Sequence, residues 1–107
     1  MLDDVLDRVE IRLYGENPKA ELLEELIQTA TDRVLLVIDE DELPKRLASI
    51  VVDVTVKLYR RLYHEGISSE SADTLNTSFV DNVLSEYEAE LSAYRSRNAS
   101  RKVVRFL

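Results

Sequence analysis

Apolar residues recur along most of the chain at three- and four-residue intervals, the spacing of one face of an α-helix. Leu2, Val5, Leu6, Val9 and Leu13 share a narrow face and predict a helix over residues 2–14. Gly15 is its natural stop, because glycine takes positive φ without steric cost. "NPKAELLEELIQ" opens a second helix, with Asn17 suited to the N-cap and Pro18 to the first helical position. Glu21 and Glu24 favour the positive end of its dipole. Its broad apolar face runs from Leu22 through Ile27 and Val34 to Ile38, Leu35 and Leu36 fall outside that face, and the acidic run Asp39 to Glu42 ends the pattern.

The third helix is predicted from Pro44 to Glu65, stopping at Gly66, and it carries two apolar stripes. Leu47, Ile50, Val51, Val54, Leu58 and Leu62 make one; Val52, Val56, Tyr59 and Tyr63 make a second beside it. An ordinary surface helix has one. This helix is therefore covered on two sides, either as the central helix of the domain or as a core helix that also meets another subunit. A fourth helix, over residues 79–95, shows a clean stripe of Val80, Val83, Leu84, Tyr87, Leu91 and Tyr94, with Thr77 or Ser78 as its cap. The reading is an all-α, compact bundle of about four helices, with a long ordered connection before the last one.

The helical pattern fades after Arg95. Asn98, Ala99 and Ser100 read as a break and "KVVRFL" as an extended segment, which divides the chain into a helical domain (1–95) and an extended C-terminal arm (96–107). Charge sharpens this division. The net charge is -7, yet residues 1–42 hold 13 acidic and 4 basic side chains, whereas residues 95–107 hold five basic and no acidic ones. An acidic body repels nucleic-acid phosphates. The basic end suits an acidic surface, and Val103, Val104, Phe106 and Leu107 between and after Arg101, Lys102 and Arg105 suit apolar pockets. An extended segment of this kind can add a strand to a partner's sheet edge.

Composition narrows the class. A 45% hydrophobic, 33% charged chain with two glycines and two prolines fits a folded helical protein. The absence of cysteine excludes disulfides and thiolate metal sites. The acidic, amphipathic start is not a signal peptide, and the longest apolar runs fall far short of the roughly 20 residues that span a bilayer. His64 is the one histidine and lies on the polar face of the third helix, where a solvated side chain is the plainer reading than a ligand. No glycine-rich phosphate loop or nucleophile elbow is present. The "DEDE" run at 39–42 lacks the spaced ligands of a calcium loop and reads as a solvated connection. No enzymatic activity, metal or cofactor is expected.

The stretch "VKLYRRLYHEGISSESADTLNTSFVDNVLSEYEAELSAYR" resembles the head–tail connector family of tailed bacteriophages, also called head-completion or adaptor proteins. The resemblance rests on Lys57-Leu58-Tyr59-Arg60-Arg61, Glu65-Gly66-Ile67, Ser69-Glu70-Ser71, Ser78-Phe79 and the final Leu91 and Tyr94-Arg95, in that order and spacing. It implies a virion protein at the head–tail interface, assembled in the host cytoplasm. The subunits would form a homo-oligomeric ring of about twelve, closed by head-to-tail contacts. The ring would dock under the portal protein, pass DNA without binding it specifically, and offer a platform to a stopper or tail-completion protein. On this reading the subunit interface candidates are Val52, Val56, Tyr59, Tyr63, Ile67, Ser69, Glu70, Leu75 and Phe79, and the portal-side contact is Arg101 to Leu107, comprising Arg101, Lys102, Val103, Val104, Arg105, Phe106 and Leu107. The alternative is a small helical regulatory or nucleic-acid-binding module that uses the basic tail. Against it stand the long connection and the acidic helix that follows, since a helix-turn-helix reader needs a short turn and a basic recognition helix.

Overall fold

The computed structural model describes the backbone of residues 2–64 and 77–106, and the side chains of 4–62 and 80–98. Five α-helices and one short 3-10 turn make up this part: α1 (Leu2–Arg12), α2 (Ala20–Ile38), the 3-10 turn Lys45–Leu47, α3 (Ala48–His64), α4 (Thr77–Ser85) and α5 (Glu88–Phe106). No strand occurs among the described residues.

The central position belongs to α3, which packs against α1, α2 and α4. Its two stripes explain this. Val51, Val54 and Leu58 of the first are fully buried, and Val52, Val56 and Tyr59 of the second are at most 7% exposed. With Val5, Val9 and Leu13 of α1, Leu23 to Ile38 of α2, and Val80, Val83, Leu84 and Leu91 of α4 and α5, they form one core. The expected division of α2 also holds: Leu36 is 71% exposed, while Leu35 is only partly buried.

The helix ends refine the sequence reading. Gly15 does take φ +90, and a Cβ built there meets nothing within 4 Å, so its role is conformational rather than steric. Asn17, expected as the N-cap, instead adopts φ 49, and α2 starts later with Lys19 at its N-cap and no side-chain cap. Asparagine tolerates the left-handed region, so here it turns the chain. At the other end Asp39 (φ 60) closes α2, and the Asp39 and Glu40 amides both donate to the Leu35 carbonyl.

Two differences lie near the C-terminus. The predicted fourth helix is broken at Glu86–Tyr87 into α4 and α5. The break predicted at Asn98 to Ser100 is absent, and the extended arm is helical to Phe106, across the proposed 95/96 boundary. Here the Asn98 side chain donates to the Glu40 carboxylate rather than to its own backbone, which leaves the helical ladder uncontested at that residue. The long connection, including Ile67, Ser69, Glu70 and Leu75, lies outside the described residues.

Candidate functional site

Because α3 is buried on two sides, its described side chains reach the surface mainly through its polar third, and that third is a strap. Asp53, Lys57 and Arg60 lie at helical spacing and each reaches another element. Asp53 accepts from Arg12 of α1 at 2.7 Å, Lys57 donates to Glu86 at 2.9 Å, and Arg60 lies 3.8 Å from Glu16. A fourth pair, Arg33 to Asp81 at 2.9 Å, ties α2 to α4. Exposed pairs of this kind contribute little stability each, about 0–1 kcal/mol. Their effect is to fix which helix lies beside which.

Lys57 has a second partner beside Glu86. Its ammonium stands 4.9 Å from the centre of the Tyr87 ring and bonds Glu86, so it grips both residues of the joint between α4 and α5. The Tyr87 side chain first, and the Glu86 carboxylate second, raise its pKa above the ordinary lysine value. Further along, Leu91 is buried, Tyr94 packs on the core, and Asn98 is held by Glu40. These contacts aim α5. It runs in the same direction as the end of α2, because Leu91 and Val37 line one groove and Asn98 meets Glu40 just past it. At about 1.5 Å per residue, the two turns after Asn98 carry the chain about 12 Å beyond that contact. The basic residues Arg101, Lys102 and Arg105 belong to this last part of α5.

Of the interface candidates, Val52, Val56 and Tyr59 are spent inside the chain's own core. Side chains this buried offer a neighbour no surface unless the core opens, so the first of the two alternatives for α3, the central helix, accounts for them. The side chains of Tyr63, Phe79 and the 101–107 segment lie outside the described ones. What the sequence reading missed is an exposed apolar pair at the end of α1: Ile11 is 73% and Tyr14 92% exposed. The signal was available, since neither falls on the Val5–Val9–Leu13 face. No group of His, Cys, Asp or Glu suited to a metal occurs among the described residues. Nor is any helix there long and apolar enough to cross a membrane.

A scan against protein-family models matches residues 4–95 to the phage gp6-like head-tail connector proteins. The chain belongs to that family. The searches of curated proteins and of solved structures each returned no match. Membership of the connector family gives the protein a structural role in a phage virion, in contact with head and tail components. The matched region contains all of α1 to α4 except its first two residues, and ends within α5. The basic stretch Arg97 to Arg105 lies beyond it.

Proposed function

We propose that this connector is one subunit of a homo-oligomeric ring of about twelve, built from head-to-tail contacts. The ring sits under the portal protein, prolongs the DNA channel and supports the stopper or tail-completion protein on its other side. The family match over residues 4–95 carries this reading. The acidic body supports it as well, because a conduit must let DNA slide, and like charge prevents phosphate from settling on the wall.

The portal-side contact is assigned to Arg101 to Leu107. Since the backbone there is helical to Phe106, docking follows the helix-in-groove mode rather than strand addition. The segment combines the basic residues Arg101, Lys102 and Arg105 with the apolar Val103, Val104 and Phe106. Its basic charge steers it to an acidic surface, and the apolar residues anchor it. Deleting residues 101–107 tests this. The expected product has an unchanged melting temperature and no longer binds the portal complex. A fall in melting temperature with binding retained would mean that the segment serves the fold of its own chain.

A further inference from the structure

The structure leaves two complementary surfaces unpartnered, one beside the middle of α3 and one at the turn that precedes it. The first is the exposed pair Ile11 and Tyr14, with the carboxylate of Glu10 beside it. The second is a groove between the 3-10 turn and α5, lined by Arg46 and Leu47 on one side and by Ala89, Ala93, Tyr94 and Arg97 on the other. Leu47 is buried and Tyr94 half-buried, so its floor is apolar, and the two alanines leave room above it. Neither Arg46, Arg97 nor Glu10 takes part in an ion pair among the described residues. Glu90 also borders the groove, against two arginines.

These surfaces do not meet within one chain. α1 and α3 run side by side in the same direction: Asp4 to Arg8 line a hollow with Lys45 and Ala48, Arg12 bonds Asp53, and Glu16 lies by Arg60. Ile11 and Tyr14 are therefore level with the middle of α3, while the groove opens at the turn before its first residue. That separation is about ten residues of helix, roughly 15 Å. A contact between them joins two copies, through different patches on each.

We propose that the occupant of the Arg46–Arg97 groove is the Ile11–Tyr14 edge of a second copy of this chain. Tyr14 enters the room above the two alanines and seats against Tyr94, an aromatic pair of the kind that adds to area burial. Arg46 and Arg97 flank the ring and take up Glu10, and arginine beside a buried tyrosine is the usual composition of an energetic centre in an interface. The contact is heterologous, so repetition gives a ring or an open filament. It rests on the connector reading above, and names the surfaces by which the subunits join.

The chain lacks cysteine, which permits a direct test. Chains carrying Asp7→Cys, one helical turn before Ile11, are mixed with chains carrying Ser96→Cys, beside Arg97, and treated with a short bis-maleimide, so that Tyr14 and the alanines stay in place. Both sites are exposed, and unchanged helical circular dichroism establishes that each variant folds. The expected result is a mixed dimer in clear excess over either self-linked dimer, and a ladder of higher species when both substitutions share one chain. Arg97→Glu or Glu10→Arg added alone should cut the mixed product about tenfold, and the two on opposite partners should restore it. Absence of the mixed product, or indifference to charge reversal, overturns the proposal. The connector reading is judged separately, by the presence of the chain at the head–tail junction of purified particles. A chain found there in a ring without this crosslink refutes the interface alone; a chain not found there refutes the reading.

Discussion

Val56→Ala separates a core residue from an interface residue. Val56 is 1% exposed within a lone chain and belongs to the second stripe of α3. The substitution removes two carbons, about 0.8 kcal/mol each by transfer, and leaves a cavity that a helix packed against α1, α2 and α4 cannot close. The total loss is about 2–3 kcal/mol. A domain of this size has about 5–15 kcal/mol in all, so the melting temperature should fall by roughly 10–20 °C without loss of the fold. The assay is urea unfolding followed by far-ultraviolet circular dichroism, repeated over about a hundredfold range of protein concentration. If Val56 lies in the core of the single chain, the loss is the same at every concentration, because folding and association are then independent. A loss below about 0.5 kcal/mol, or one that vanishes on dilution, would refute the assignment of the second stripe to the protomer core.

Other outcomes follow from single features. Thr55 is fully buried and its hydroxyl has no hydrogen-bond partner, so Thr55→Val should raise stability by about 1 kcal/mol; a decrease in the urea midpoint would argue that the hydroxyl is satisfied in solution. Lys57→Met should cost about 0.5–1 kcal/mol, since the pair is half-exposed and the ring contact is modest. Because the folded-state pKa of Lys57 is raised, its contribution is complete below the ordinary value of 10.5 and is lost as pH rises through the folded value. The stability gap between wild type and Lys57→Met should therefore stay constant from neutral pH to mild alkali and close above that range; a gap that widens there would contradict the clamp. Asp39→Gly should stabilise by up to about 1 kcal/mol by relieving the left-handed backbone at φ 60, and a lower melting temperature would show that the carboxylate is needed.

The helices were legible where local periodicity and tertiary packing agree. The two stripes of α3 announced a helix covered on two sides, and its burial against α1, α2 and α4 is what that pattern requires. The joint at Glu86–Tyr87 was invisible because Val83, Leu84, Tyr87 and Leu91 keep one helical phase straight through it. Lys57, 29 residues before Glu86, contacts both residues of the joint, and no local signal carries that. Asn17 suits both an N-cap and a left-handed turn, and the path of the chain from Gly15 decides between them. Asn98 looked like a breaker because its usual partner is the local backbone; Glu40, distant in sequence, supplies a different one. The strap of Asp53, Lys57 and Arg60 shows in the sequence only as the polar side of α3, since charge alone does not reveal its partners. The Ile11–Tyr14 pair stood off the α1 face in the sequence, but its significance needed the exposure of both side chains.

The position and copy number of the chain in purified phage particles, determined by electron cryomicroscopy, test the central claim most directly. The account predicts a ring of helical subunits between the portal and the tail, each directing the end of α5 towards the portal and surrounding an open channel. Density for this chain elsewhere in the particle, or none at the head–tail junction, would contradict it.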